Sequence, residues 1–99
     1  MPFPSQERQP FTKAGIENLK TAQKGCYGII SGDNKWVYIG KGNDIRDRLL
    51  QHFNKTSEES TCIWKYNPAQ FVTLVTNDPD GAEKQLLTEF STYCNQKVG

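Results

Sequence analysis

The sequence predicts an α/β fold, a three-stranded antiparallel β-sheet flanked by helices in a single domain, and three observations predict it. Residues 26–30 and 36–39 are short runs rich in aromatic and β-branched side chains, joined by the turn chemistry of Gly32-Asp33-Asn34-Lys35. Residues 70–75, Gln-Phe-Val-Thr-Leu-Val, alternate as a half-buried strand does. Two later segments gather their apolar residues on one helical arc: Ile45, Leu49, Leu50 and Phe53, then Leu86, Leu87, Phe90 and Cys94.

In chain order, residues 1–11 carry Pro2, Pro4 and Pro10 and read as an extended arm ahead of a core at 12–95. Thr12 is a cap for a helix over 13–24, with Ile16, Leu19 and Ala22 inward and Gly25 as its stop. The hairpin follows. Strict alternation puts Tyr27 and Ile29 on one face, and Trp36 with Tyr38 on the face opposite Val37 and Ile39. After Gly40-Lys41-Gly42 a helix starts, capped by Asn43 or Asp44. The stretch 54–68 is polar, with Cys62, Ile63 and Trp64 as packing anchors. Asn77-Asp78-Pro79-Asp80 turns into a final helix over 80–94. No internal repeat or low-complexity tract interrupts this order.

The 99 residues are 35% hydrophobic, 23% charged and 11% aromatic, too aromatic for a disordered chain. No apolar run approaches the ~20 residues of a membrane span, and the N-terminus has no secretory signal. Three cysteines without a CxxC pair argue against a disulfide framework or a four-ligand zinc site. They read as small core residues in a reduced, cytoplasmic protein. Net charge is +1, but its distribution is uneven. Residues 35–55 carry five basic and two acidic side chains, whereas residues 56–83 carry one basic and five acidic. A local basic stripe on a near-neutral chain can still meet a phosphate backbone.

Gly25-Cys26-Tyr27 followed by Tyr38-Ile39-Gly40 resembles the paired signature of the GIY-YIG nuclease superfamily. Arg48, ten residues beyond the second tyrosine, Glu83 on the last helix, and Asn95 twelve residues after it complete the ordered set. Lys41-Gly42-Asn43 is also similar to the domain found in the nucleotide-excision-repair endonuclease and in small stand-alone relatives. Cys26 stands where the name-giving motif has isoleucine, one apolar residue for another. The resemblance implies a GIY-YIG-like fold and metal-dependent hydrolysis of DNA phosphodiesters. Tyr27 would act as base and Tyr38 would assist. Arg48, with Lys41 and His52, would hold the phosphate, and Glu83 would bind Mg2+ or Mn2+. Asn95 would have a structural or phosphate-orienting role. DNA is the expected partner, bound weakly and with low sequence specificity by a monomer or weak dimer. A binding or protein-interaction module without turnover is the alternative.

The residues themselves support this chemistry. Phosphodiester hydrolysis needs a water, a base near it, and positive charge on the phosphate and leaving oxygen. A hairpin presents Tyr27 and Tyr38 on neighbouring strands. Arg48 leaves its helix at the edge of the apolar arc, from where its planar fork can grip a phosphate. His52 lies one turn on. Lys41 sits between two glycines, where a phosphate can come close. With Leu86 as the origin, Glu83 falls at about 60° on the helical wheel, inside the apolar arc. A carboxylate so placed must be paired, hydrogen-bonded or metal-bound. Trp64 and Tyr66 could stack on an unpaired base; packing beneath the loop is the simpler role.

Overall fold

The computed structural model describes residues 8–19 and 23–95. Its elements run β1 (Gln9–Pro10), α1 (Lys13–Glu17), β2 (Gly25–Ser31), β3 (Trp36–Gly42), α2 (Ile45–Phe53), α3 (Ser60–Lys65), β4 (Pro68–Val75) and α4 (Pro79–Glu89). The sheet has four strands in the order β1-β4-β2-β3, each neighbouring pair antiparallel. The extra strand corrects the expectation of three. Gln9 pairs with Phe71 and Pro10 with Gln70, while Phe11 donates its N–H to the Ala69 carbonyl at 2.8 Å. An edge strand tolerates Pro10 because its missing donor need not serve a second neighbour. The reward for pairing is Phe11, which is buried with its ring 5.6 Å from both Phe53 and Trp64. The expected arm thus joins the sheet at residues 9 and 10 and the core at Phe11; residues 1–7 lie outside the described ones.

Two apolar layers cover the sheet. Tyr27, Ile29, Val37, Tyr38 and Phe71 face Ile16, Ile45, Leu49 and Ile63 of the helices α1 to α3. Cys26, Ile30, Ile39 and Val72 face Leu86 of α4. The hairpin departs from strict alternation. Ile29 pairs with Tyr38, but Ile30 pairs with Trp36, so Val37 is the extra residue of a bulge. Tyr38 therefore shares the Tyr27 face, while Trp36 goes to the α4 face and lies 4.8 Å from the Phe90 ring. Without that one-residue slip every side chain beyond it would sit on the wrong face.

The helix ends show what sets each length. Thr12 caps α1 by accepting from the Gly15 N–H at 3.0 Å. The helix stops at Glu17 rather than continuing to 24; Ala22 lies outside the described residues, and Gly25 opens β2. Asp44, not Asn43, caps α2, accepting from the Asp47 N–H at 3.2 Å. Residues 60–65, read as an anchored loop, form a short helix. α4 ends at Glu89, five residues earlier than expected. Ser91, Thr92 and Tyr93 are mediocre helix formers, and the chain instead runs beside β3, where Cys94 donates its N–H to the Val37 carbonyl at 2.8 Å. That course brings Cys94 to Cys62, and the two form a disulfide with a Cα–Cα distance of 5.8 Å. Only Cys26 remains a free, buried cysteine, which corrects the reading of all three as core thiols.

Candidate active site

Tyr27 comes from the centre of β2, and directly opposite it on β3 stands Gly40. A Cβ at Gly40 would collide with the phenol of Tyr27 and the ring of Tyr38, so any larger residue would push both tyrosines out of place. Tyr38 occupies the diagonal position, with ring centroids 6.2 Å apart. His52, from the inner face of α2, packs against both: its ring lies 5.5 Å from Tyr27 and 5.2 Å from Tyr38. Tyr27 and His52 are fully buried, while Tyr38 keeps 8% of its surface at the cleft.

The buried pair is hydrogen-bonded. Tyr27 Oη lies 2.6 Å from His52 Nε2, and His52 Nδ1 lies 2.7 Å from Ser57 Oγ. Ser57 Oγ lies 2.6 Å from Ser60 Oγ, which reaches the Gln51 carbonyl at 3.5 Å. The carbonyl can only accept, so it fixes the direction of the chain. Ser60 donates to Gln51, Ser57 to Ser60, and His52 Nδ1–H to Ser57. Nε2 is then the bare nitrogen that accepts the Tyr27 hydroxyl proton. Electrostatics agree. Burial, with the Arg48 cation next in weight, lowers His52 to about 4, so it is neutral at pH 7. Burial and then Tyr38 push Tyr27 far above the ordinary phenol value, against the pull of Arg48. Burial, followed by the Glu59 charge, raises Tyr38 to about 12. Both phenols keep their protons at neutral pH.

Arg48 follows one turn before His52 on α2. Its stem lies over Gly42, where a Cβ would come within 2.6 Å of Arg48 Cγ. Nη1 donates to Gln51 Oε1 at 2.6 Å, and Nη2 lies 3.9 Å from Glu59 Oε1. Glu83, in the second turn of α4, is half-buried, and its Oε1 is 3.6 Å from Lys41 Nζ; Lys41 also pairs with Asp80. The inward carboxylate inferred from the wheel is therefore paired. Asn95 spends its amide on β3: Oδ1 accepts the Ile39 N–H and Nδ2 donates to the Ile39 carbonyl, both at 2.7 Å. It adds a rung to the strand beside Tyr38.

These groups meet at a cleft of about 330 Å3, walled by Tyr38, Glu58, Glu59, Glu83, Asn95 and the Cys62–Cys94 bridge. Of the residues singled out in the sequence, Tyr38, Glu83 and Asn95 line it. Arg48 reaches it through Glu59. Tyr27 and His52 form its buried backing, so His52 faces a phenol rather than open solvent. Lys41 connects to it through Glu83 and also lines a second hollow of about 420 Å3, with Lys24, Asp78 and Asp80. Trp64 packs in the core, its indole N–H donating to the His52 carbonyl at 3.0 Å. Sequence reasoning missed the Tyr27–His52 bond, the Ser57–Ser60 relay and Glu59. The four-residue spacing from Arg48 to His52 hinted at a shared helix face; nothing local pointed to Glu59.

Comparison with known proteins shows the family and the fold. A family model of the GIY-YIG catalytic domain matches residues 23–95. UvrABC system protein C of Borrelia duttonii is 38% identical over 77 residues, which are 75% of this chain and 13% of that protein. The Borrelia hermsii protein of the same name is 33% identical over 86 residues, 84% of this chain and 14% of that protein. The chain therefore spans a small fraction of these relatives. The crystal structure of the GIY-YIG N-terminal endonuclease domain of UvrC from Thermotoga maritima, bound to magnesium as its catalytic cation, superposes with a TM-score of 0.67. That match is 21% identical and covers 82% of this chain and 96% of that one, a likeness of fold.

Proposed function

The chain belongs to the GIY-YIG catalytic domain family, and from that membership we propose that it is a divalent-metal-dependent endonuclease hydrolysing DNA phosphodiester bonds. The observation that carries the reading is the Tyr27–His52 contact of 2.6 Å behind a cleft that also holds Glu83 and is flanked by Arg48. An uncharged imidazole held against a buried phenol is an arrangement for moving a proton.

Glu83 would hold the metal, as magnesium or manganese. The residues fit: Glu83 is partly exposed at the cleft wall, and magnesium prefers one or two carboxylates with its remaining sites left to water and phosphate. Bound there, the cation supplies Lewis acidity at the phosphoryl oxygens and lowers the pKa of a water. Everything else falls to the chain. Arg48 takes the phosphate through its planar fork. Its charge acts on both phenols, so a phosphate held there would lie beside Tyr27 and Tyr38. Tyr27 accepts a proton from the attacking water while passing its own to His52 Nε2. The phenol is neutral before and after, and the cost moves to His52, whose cation burial and the Arg48 charge disfavour, a cost that an anionic phosphate on Arg48 would reduce. Tyr38 orients the water from the cleft wall, Asn95 holds β3 beneath it, and Lys41 balances the charge of Glu83.

One metal carboxylate and one arginine serve one strand at a time, so each encounter nicks. The test is relaxation of supercoiled plasmid in magnesium. The parent should nick, and Glu83→Gln should not, because an amide is a poor ligand for a hard cation. Parent-level cutting by Glu83→Gln would overturn the metal assignment. A parent that binds DNA without cutting it would favour the binding-module reading.

A further inference from the structure

Glu59 stands at the N-cap of α3 with helical backbone angles, φ −76° and ψ −13°, and its side chain caps nothing. It reaches back across the cleft mouth to Arg48 Nη2 at 3.9 Å. The other arm of the same guanidinium, Nη1, is held by Gln51 Oε1, and Gln51 Nε2 in turn donates to Asp47 Oδ2 at 2.9 Å. The Arg48 fork thus has one arm fixed on α2 and the other turned to a carboxylate on the opposite wall. A carboxylate and a phosphodiester present the same feature to a guanidinium: an anionic group whose oxygens accept from the fork.

We propose that Glu59 occupies the phosphate seat of Arg48 in the substrate-free protein, a stand-in that DNA must displace. This rests on the phosphate-binding role of Arg48 given above. The contact suits an occupant that leaves. It lies at the outer limit of an ion pair, joins side chains that are both about one-third exposed, and belongs to the class worth well under the strength of a bidentate phosphate pair. The segment presenting it does not yield as easily. Ile63 is fully buried, Cys62 is bonded to Cys94, and Ser60 Oγ takes part in the relay to Ser57. Displacement is therefore a rotation of the Glu59 side chain rather than a movement of α3. Glu58 and Glu83 share the cleft, so without metal an incoming phosphate meets three carboxylates and a guanidinium already engaged. Glu59 makes the seat selective: a phosphate chain holds it only when the metal and its other contacts outweigh the internal carboxylate.

The test is the affinity for a short fluorescein-labelled DNA duplex, followed by anisotropy in EDTA at low salt, so that no cutting intrudes. Glu59→Gln keeps the size and removes the charge. It should bind about threefold or more tightly than the parent, the scale on which a partly exposed ion pair competes. Arg48→Ala should weaken binding, and in that background Glu59→Gln should change it little, because its partner is gone. Glu58→Gln removes an equal charge from the same cleft without touching Arg48 and should gain less than Glu59→Gln. In magnesium, Glu59→Gln should lower KM without raising kcat. Equal gains from Glu58→Gln and Glu59→Gln, a gain that survives Arg48→Ala, or no gain at all would overturn the proposal. Failure of the parent reading looks different: Arg48→Ala would then leave DNA binding unchanged.

Discussion

His52 carries the sharpest consequence at the scale of a single residue. Its folded pKa, lowered to about 4 by burial and Arg48, lies below the ordinary value of 6.5. Between those values the unfolded chain binds a proton that the folded one refuses. Stability is therefore fully present above about pH 6.5 and falls as pH drops toward 4. The loss from this group alone is on the order of 2–3 kcal/mol. Urea titrations at pH 7 and pH 4.5 should show it for the parent, and a His52→Gln variant should show a shallower fall. In the nicking assay, Tyr27→Phe removes the hydroxyl proposed to move the proton and should cost roughly 100-fold or more in rate, the scale of general acid–base catalysis. Arg48→Ala should lose most cleavage while its melting curve stays near the parent's, since the side chain is not in the core. Arg48→Lys should recover little, because a point charge cannot replace a fork. The pairing of Glu83 with Lys41 at 3.6 Å also sets an expectation: Glu83→Gln should be close to neutral in stability, because no uncompensated charge is relieved.

Among the elements, β1 and α3 turn a hairpin with two helices into a site. The two residues of β1 bury little by themselves, yet they carry Phe11 into contact with Phe53 and Trp64. Truncation to Phe11→Ala should cost about 3 kcal/mol, the usual penalty for deleting a buried phenyl ring. A variant as stable as the parent in urea would mean that the N-terminal strand is not part of the core. α3 is short and is tied at a distance, since Cys62 and Cys94 are 32 residues apart. Closing a loop of that length removes enough unfolded-state entropy to stabilise by roughly 3–4 kcal/mol. Reductant, or Cys94→Ser, should lower the melting temperature of the parent accordingly. Cys26, apart from the bridge and pushed up to about 11 chiefly by burial, should not react with thiol reagents in the folded protein.

Across the whole molecule, charge sets the limits of the proposed binding to DNA. The net charge is +1, Lys41 is engaged with Asp80 and Glu83, and the cleft has acidic walls. Few phosphates can be neutralised at once. DNA binding at physiological salt should be micromolar or weaker, with a log–log salt slope corresponding to about 3–4 contacts. Nanomolar binding with a steep slope would reveal a larger surface, such as one formed between two copies. No helix among the described residues is long and apolar enough to cross a membrane.

The sequence by itself determined whatever rests on neighbours along the chain. Aromatic and β-branched runs made strands, Thr12 and Asp44 made caps, and the apolar arc of residues 45–53 made α2. The ordered tyrosines, arginine and glutamate marked the family because their spacing is itself a one-dimensional quantity. Gly40 and Gly42 were legible as flanks of Lys41, though not as the floors on which Tyr27 and Arg48 lie. Tertiary structure decided what depends on partners distant in sequence. The bulge at Val37 chose the face of Tyr38. The fourth strand formed because Phe11 found Phe53 and Trp64. Cys62 met Cys94 only after α4 ended early. His52 exchanged a surface role for a buried bond to Tyr27, 25 residues away, and Glu59 found Arg48 across a cleft that no local pattern encodes. The physical reason is the same in each case. Propensity and periodicity act over one turn or one pleat, whereas burial and charge pairing are settled by whichever surfaces the fold brings together.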